Sequence, residues 1–123
     1  EDGGSIVNIS SFWGLRADER TVAYASSKAG LIMLTKTMAK DHAADGVRVN
    51  AVCPGGVDTP MLARGAEAAE QPVAKFLETV ASFSPNGRIA TPEEVAGLVL
   101  FLASDAAAQI TGTAIPIDGG LSA

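Results

Sequence analysis

The hydrophobic pattern of the chain alternates between short β-branched runs and longer segments with helical periodicity. Residues 5–10 form an apolar run with little alternation, which is typical of a strand covered on both faces in a parallel sheet. The segment from Tyr24 to about Ala44 has apolar residues on two sides of a helix, and Gly46 ends it. A second strand is expected over residues 47–53. Strand, helix and strand in succession predict a right-handed parallel crossover.

The second half of the chain contains one clear helix start. Thr91 is a typical cap, Pro92 takes the first helical position and Glu94 completes a capping box. An apolar stripe with the spacing i, i+3, i+4, i+7 follows from Val95. We therefore expect a helix from Pro92 and a last short strand over residues 113–117.

The remaining segments are less regular. Pro72 suggests a helix over residues 72–81, with the proline in its first turn. Loops are predicted for residues 11–22, 54–61 and 84–90. Three parallel strands with three or four helices predict an α/β fold, a Rossmann-like sheet that is about half of a doubly wound fold. Such a sheet has an edge strand without a partner, which favours association with another polypeptide.

Composition narrows the class of protein and its partners. The chain has 123 residues, enough for one domain, a net charge of −5 and a pI near 4.7. An acidic chain suits neither nucleic acid nor anionic membranes, and no run of about 18 apolar residues predicts a membrane span. Cys53 is the single cysteine, so no disulfide can form within the chain, which fits a reducing cytoplasm. No metal site is expected, because His42 is solitary and nothing has the spacing of zinc ligands.

The most distinctive chemistry lies in a serine, a tyrosine and a lysine. Tyr24 and Lys28 are four residues apart, so their side chains share one face of the predicted helix. An ammonium beside a phenol favours the phenolate, so the pKa of Tyr24 is expected to fall below its usual value of about 10. Such a tyrosine can exchange a proton with a carbonyl or alcohol oxygen. Ser11 follows the first predicted strand, at the end where open α/β sheets place ligands.

Four motifs resemble those of the classical short-chain dehydrogenase/reductase family. They are VNISS, YASSK with its tyrosine thirteen positions after Ser11, VNAVCPGGVDTPM and ITGTAIPIDGG. Together they resemble the C-terminal half of that family over nearly the whole chain. The family's Gly-rich turn TGxxxGxG and its NNAG motif are not found in the sequence. Residues 1–123 are therefore expected to be the C-terminal half of a Rossmann domain, without the cofactor-binding N-terminal half.

The resemblance implies a role for each residue of the trio. Tyr24 would be the general acid/base, Lys28 would lower the tyrosine pKa and hydrogen-bond the nicotinamide ribose, and Ser11 would hydrogen-bond the substrate oxygen. Without the resemblance, Tyr24 is an aromatic residue packed at a helix N-terminus and Lys28 is a solvated lysine. The implied cofactor is NAD or NADP, and the residue that chooses between them in the family is missing from the sequence.

The loop after the second predicted strand has two interpretations. An ordinary tight turn would account for Pro54, Gly55, Val57 and Thr59. The resemblance implies instead that these residues bind the cofactor, with Val57 and Thr59 against the nicotinamide carboxamide and Gly55 allowing close approach. Asn50 is expected to anchor this loop through its amide.

Several apolar residues lie where the family has its variable substrate lid. An apolar lid implies a small hydrophobic alcohol or ketone as the substrate, although the same side chains could equally belong to the core. These residues are Met61, Leu62, Phe76, Leu77 and Phe83. Phe12 and Trp13 would line the same pocket.

Two functions of different classes follow from these features. The first is an oxidoreductase that, when complete, transfers a hydride between NAD(P) and a secondary alcohol or carbonyl. The second is a catalytically silent association module, which would pair through the helices that begin near Tyr24 and Val95. The expected partner is a second copy of the chain, in a dimer or tetramer, or a complementing N-terminal half.

Overall fold

The computed structural model describes residues 3–123. In this range the strands are β1 (Gly4–Ile9), β2 (Val47–Pro54) and β3 (Ala114–Ile117). The α-helices are α1 (Val22–Asp41), α2 (Pro60–Ala68), α3 (Val73–Phe83) and α4 (Pro92–Ala103). Single turns of 3-10 helix cover residues 12–14, 43–45 and 105–107. No helix within residues 3–123 combines the length and the apolar character that a membrane crossing requires.

The three strands form one parallel sheet in the order β1-β2-β3. Gly4 pairs with Val47 at one end of the first ladder and Ile9 pairs with Val52 at the other. Because the strands run in one direction, the segments that follow β1, β2 and β3 leave the sheet at the same edge. The predicted α/β fold with three parallel strands is confirmed.

Helices cover both faces of the central strand. On one face Ile32 of α1 packs against Ala51 and Cys53, and on the other Leu102 of α4 packs against Val52. Residues 49–53 of β2 are fully buried, at 0% exposure each. The core is therefore a helix–sheet–helix sandwich centred on β2.

The expectation that β1 is covered on both faces is wrong for this chain. Ile6 and Ile9 are 38% and 45% exposed, because α1 packs mainly over β2 and α4 covers only part of β1. Among the described residues β1 also has a strand partner on one side only. An apolar edge strand of this kind is a surface on which another strand can add.

Helix α4 begins as the sequence predicts. The Thr91 hydroxyl accepts a hydrogen bond from the Glu94 amide at 3.2 Å, and the Glu94 carboxylate accepts one from the Thr91 amide at 2.9 Å. The Arg88 guanidinium binds the same carboxylate in two places, at 2.9 and 2.7 Å. Together with the Thr91 amide, Arg88 lowers the pKa of Glu94 to about 2.

The far end of α4 is held by an arginine from the sheet. The Arg48 guanidinium donates to the carbonyl oxygens of Leu102 at 2.7 Å and Ser104 at 3.1 Å. A third and longer bond reaches the carbonyl of Ile110 at 3.4 Å. The last turn of a helix has carbonyls without intrahelical partners, and a cation is favourable there. Arg48 therefore serves as a cap supplied by β2.

Two details of the predicted helices are wrong. Helix α2 occupies residues that the sequence assigned to a loop or left undefined, since Pro60 begins the helix directly after an extended Thr59. Pro72 precedes α3 instead of lying in its first turn, because its ψ of 136° is extended. The predicted loop after β1 also contains a 3-10 turn, whose N-cap is Ser11.

Candidate active site

Lys28 connects the tyrosine to the end of the first strand. Its ammonium nitrogen lies 5.6 Å from the centroid of the Tyr24 ring, within the range of a cation–π contact. The same nitrogen donates a hydrogen bond to the carbonyl oxygen of Ile9 at 3.0 Å. Tyr24 and Lys28 lie in the first two turns of α1, and Ile9 is the last residue of β1. The lysine therefore ties the face of α1 that carries Tyr24 to the strand that precedes Ser11.

Trp13 contacts Ser11 and Tyr24, the two residues of the trio other than Lys28. Its backbone amide donates to the Ser11 hydroxyl oxygen at 3.1 Å, and its indole packs edge-on against the Tyr24 ring, with centroids 5.7 Å apart. The indole nitrogen donates to Asp18 at 3.2 Å, which fixes the ring. Among the described residues no hydrogen bond joins Ser11 directly to Tyr24 or Lys28. The structure thus relates the trio through Trp13 and the end of β1.

Ser10 and Ser11 face different parts of the structure. Both serines are buried, at 3% and 7% exposure, and the Ser10 hydroxyl donates to the carbonyl oxygen of Lys28 at 2.9 Å. Ser11 caps the following 3-10 turn. Cys53 of β2 lies close to both serines, and burial raises the pKa of its thiol above the ordinary value. A buried thiol of raised pKa stays neutral, so it adds no charge to this edge of the sheet.

The loop after β2 is built tightly into the protein. The Gly55 amide donates to the Ile117 carbonyl at 3.1 Å, and Val57 makes a parallel bridge to Ala90. A β-carbon on Gly55 would lie 2.9 Å from the β-carbon of Asp118. This glycine therefore allows the loop after β2 to approach the residue that follows β3. Among the described residues the Thr59 hydroxyl has no hydrogen-bond partner, and its residue begins α2 without a side-chain cap.

Asn50 anchors a different loop from the one expected. Its amide nitrogen donates to the carbonyl of Ile110 at 2.8 Å, and its amide oxygen accepts from the hydroxyl of Thr113 at 2.7 Å. Both partners belong to the segment before β3. The prediction placed the anchor at the loop that follows β2, and it was wrong because the side chain of Asn50 lies on the α4 face of the sheet.

Helices α2 and α3 form a small pair of their own. A β-carbon on Gly65 would lie 3.1 Å from the Phe76 ring, so the two helices meet closely at that point. Met61 and Phe83 are each 66% exposed, and Ala66 is the one buried residue among the described positions of this pair. The remaining apolar side chains, Leu62, Phe76 and Leu77, are half-buried. Met61 and Phe83 are therefore surface side chains, and none of the five residues belongs to the buried clusters centred on β2.

Two clefts adjoin these elements. One, of about 340 Å³, lies at the end of β3 between Ser84, Arg88 and Asp118, and none of the trio lines it. The other, of about 260 Å³, is shallow and lies between Trp13 and the small residues Ala25 and Ala29 of α1. No group of three or more acidic, histidine or cysteine side chains within residues 3–123 is placed to hold a metal ion.

Comparison with known proteins identifies relatives over almost the whole chain. A family model described as enoyl-(acyl carrier protein) reductase matches residues 1–122. A 3-oxoacyl-[acyl-carrier-protein] reductase of Thermotoga maritima is 49% identical over 118 residues, which is 96% of this chain and 45% of the relative. The chain therefore spans about half the length of the curated relatives it matches.

Solved structures agree with the sequence matches. A short-chain dehydrogenase family protein of Francisella tularensis superposes with a TM-score of 0.91 and 37% identity, over 99% of this chain and 52% of that chain. A single-residue variant of actinorhodin polyketide ketoreductase with NADPH gives a TM-score of 0.91 and 36% identity, over 98% of this chain and 48% of that one. On the motifs, the fold and these matches, the chain belongs to the short-chain dehydrogenase/reductase family.

Proposed function

We propose that this chain supplies the catalytic groups of an NAD(P)-dependent oxidoreductase that acts on a secondary alcohol or carbonyl. The observation that carries the proposal is the Lys28 ammonium, 5.6 Å from the centre of the Tyr24 ring and bonded to the strand that leads to Ser11. Since the chain spans about half the length of its relatives, the activity belongs to a larger assembly. In it, residues 1–123 are the C-terminal half of a Rossmann domain.

In this reaction Tyr24 gives the proton to the substrate oxygen or takes it away. Tyr24 is 40% exposed and its hydroxyl has no hydrogen bond to the described residues, so a substrate oxygen can reach it. The positive charge of Lys28 favours the phenolate that forms when the proton leaves. The Ser11 hydroxyl oxygen accepts a hydrogen bond from the Trp13 amide, so the hydroxyl hydrogen of Ser11 stays available to stabilise charge on the substrate oxygen.

The open donors near Tyr24 fit the nicotinamide and ribose part of a dinucleotide. Lys28 has three protons, and one of them is used by Ile9, so two remain for the ribose hydroxyls. Thr59 offers a free hydroxyl for the carboxamide, in a loop whose other contributing residues are Pro54, Gly55 and Val57. When bound, the nicotinamide supplies or accepts the hydride. The NADPH of the actinorhodin ketoreductase structure supports such a cofactor for this chain and leaves NAD and NADP both open.

The substrate is a small alcohol or ketone with an apolar body. Helices α2 and α3 expose Met61 and Phe83 in the segment that directly follows the proposed cofactor loop. Apolar side chains of this kind gain free energy by covering a hydrophobic substrate and excluding water from the hydride transfer. The proposal assigns these helices the role of a substrate lid.

A second candidate function is association without catalysis. Helix α1 exposes Val22, Met33 and Leu34 at 81%, 62% and 51%, and such a surface favours contact with a second copy of the chain in a dimer or tetramer. The free edge of β1 favours an N-terminal half as the other partner. Both contacts are compatible with an enzyme, so they do not exclude the first function. The cytoplasmic location stays a prediction.

The decisive experiment restores the other half of the fold. The chain is fused behind the N-terminal half of the Thermotoga maritima relative, and turnover of a panel of small ketones is followed by NAD(P)H absorbance. Replacing Tyr24→Phe is expected to lower kcat by about 100-fold to 10,000-fold, because proton transfer is lost. Thr37→Val, which removes a hydroxyl from the same helix, is the control and should leave kcat unchanged. Undiminished turnover by the Tyr24→Phe fusion would disprove the proton role.

Cofactor titration separates the two candidate functions. The fusion is titrated with NADH and NADPH while the fluorescence of Trp13, the single tryptophan of this chain, is recorded. Saturable quenching is expected for an oxidoreductase, since Trp13 lies against Tyr24. A folded and oligomeric fusion that binds neither nucleotide would favour the association module.

A further inference from the structure

Lys28 is held at two points, to the last residue of β1 and to the residue that follows it. Its side-chain ammonium donates to the Ile9 carbonyl at 3.0 Å, and its backbone carbonyl accepts the Ser10 hydroxyl at 2.9 Å. The ammonium bond is made by a residue of the proposed active site. The bond from Ser10 is made by a residue to which neither the motifs nor the proposed reaction gives a role.

The Ser10 hydroxyl bond is additional to the bonds that form the helix. In α1 the carbonyl of Lys28 already accepts the amide of Ile32, four residues later, as in any α-helix. Ile32 packs on the sheet, so α1 has an attachment to the sheet that is independent of Ser10. Ser10 is only 3% exposed, and its bond therefore acts in a dry environment where small shifts are costly. What this bond adds is a fixed distance between the end of β1 and one peptide of α1.

The same peptide is also in close contact with the turn after β1. A β-carbon on Gly14 would lie 3.0 Å from both the carbonyl carbon and the carbonyl oxygen of Lys28. Gly14 is the neighbour of Trp13, whose amide holds Ser11 and whose ring packs on Tyr24. A displacement of the Lys28 peptide would therefore be felt by all three residues of the trio.

We propose that Ser10 is a positioning residue, whose hydroxyl sets the Lys28 peptide relative to Ser11 and Tyr24 through its bond to the Lys28 carbonyl. The assignment rests on the oxidoreductase function proposed above. Ser10 touches neither substrate nor cofactor in this role. It acts only through Lys28 and through the turn that packs on Lys28.

The chain contains a matched bond that distinguishes positioning from simple stabilisation. Asn8 lies two residues before Ser10, on the same face of β1, and its amide donates to the Thr35 hydroxyl of α1 at 3.0 Å. Thr35 is fully buried and lies about two helical turns beyond Lys28. Both bonds join the same strand to the same helix, but one is at the proposed active site and the other is remote from it.

The kinetic test compares Ser10→Ala with Thr35→Val in the fusion protein. Both variants are expected to lower Tm. Ser10→Ala loses the bond to the Lys28 carbonyl, and Thr35→Val loses the bond from Asn8 together with the bond from the Thr35 hydroxyl to the Leu31 carbonyl at 2.8 Å. Ser10→Ala is expected to lower kcat by about 10-fold to 100-fold with little change in KM, because misplaced catalytic groups cost rate more than binding. Thr35→Val should leave kcat within about 2-fold, because Thr35 is remote from the catalytic groups and does not set their positions. Ser10→Thr, which keeps the hydroxyl, is expected to recover most of the lost rate. Equal kcat values for Ser10→Ala and Thr35→Val would overturn the proposal.

A spectroscopic test does not depend on activity. Tyr24 is the single tyrosine of the chain, so ring-labelled tyrosine gives one set of NMR signals in the 123-residue protein. Ser10→Ala is expected to shift these signals, because Lys28 and Trp13 move relative to the ring, whereas Thr35→Val should leave them in place. Coincident spectra for wild type and Ser10→Ala would overturn the proposal, and so would an unfolded Ser10→Ala chain, which would make Ser10 a requirement of the fold. If Tyr24→Phe keeps full turnover, the function fails while this measurement still tests Ser10.

Discussion

The sheet with helices α1 and α4 and the helix pair α2–α3 are parts of one continuous chain, yet they differ greatly in how deeply their side chains are buried. The sheet and the helices α1 and α4, which we call the scaffold, bury residues 49–53 completely and fix Lys28 through Ser10 and Ile9. The pair α2–α3, which we call the lid helices, buries Ala66 alone among its described residues and leaves Met61 and Phe83 two-thirds exposed.

The difference matches the demands of the proposed chemistry. Proton transfer needs its groups held within a fraction of an ångström, and a scaffold element supplies that precision better than a loosely covered helix pair. Substrate recognition tolerates movement, and an exposed apolar layer can adapt to different bodies around the same reacting carbon. Each part of the molecule therefore allows different substitutions, and three comparisons can test this.

The largest contrast is expected between a core and a lid side chain. Leu102→Ala removes a side chain with 0% exposure from the interface of α4 with β2, and should lower the free energy of unfolding by about 2–5 kcal/mol. Phe83→Ala should change it by about 0.5 kcal/mol or less, because the ring is exposed. Leu100→Ala, on the same helix as Leu102 but 72% exposed, is the control for helix propensity. Urea unfolding measures all three, and a lid variant as destabilising as Leu102→Ala would remove the distinction.

An intermediate effect is expected where the scaffold is packed most closely. Gly14→Ala places a β-carbon 2.9 Å from the Ile32 side chain and 3.0 Å from the Lys28 peptide, so it should cost about 1–3 kcal/mol of unfolding free energy. Gly30→Ala meets nothing within 4 Å and should stabilise α1 by about 0.5–1 kcal/mol. Thermal unfolding compares the two, and a Gly14→Ala protein as stable as wild type would mean that the turn after β1 can move away from Lys28.

The smallest effect is expected for the ion pair between Arg88, which follows the lid helices, and Glu94 of α4. Glu94 has a pKa of about 2 in the folded protein, below its ordinary 4.5, since Arg88 and the Thr91 amide bind the carboxylate. A lowered folded pKa contributes stability that is present above pH 4.5 and lost as the pH falls through about 2. Glu94→Gln should therefore lower Tm near neutral pH, and its deficit should shrink between pH 4.5 and 2.

The neighbouring Glu93 provides the control for this measurement. It lies in the same first turn of α4, and no hydrogen bond from its side chain occurs among the described residues. Glu93→Gln breaks no such ion pair and should show a smaller Tm deficit near neutral pH than Glu94→Gln. A constant difference between Glu94→Gln and wild type from pH 7 to pH 2 would show that the ion pair with Arg88 does not contribute to stability.

Features with a local cause could be predicted from the sequence. The capping box at Thr91 and the strand over residues 47–53 depend on neighbouring residues, and both were found almost as expected. The grouping of Lys28 with Tyr24 follows from helical spacing in the same way. Helix α2 was missed because Gly65 interrupts its pattern and a turn-forming Pro-Gly-Gly sequence precedes it.

Features with a distant cause could not be predicted. Asn50 binds residues about sixty positions away, and no periodicity tells which loop will meet its amide. The attachment of Ser10 to Lys28 has the same origin, since it needs the register between β1 and α1. The contact of Gly55 with Asp118 depends on where β3 ends. A single sequence therefore identifies the residues of the candidate site more readily than the contacts that support them.

The arginine of β2 that binds the end of α4 also has a consequence for how the chain folds. Helix α4 has a strong start signal of its own, whereas the carbonyls of its last turn bind a guanidinium placed 54 residues earlier. The last turn of α4 therefore gains the stabilisation from Arg48 only after the helix has docked on an already formed central strand. Final closure of the C-terminal segment should follow sheet formation, and Arg48→Met should speed amide exchange at Ser104 and Ile110 more than at the first turn of the helix.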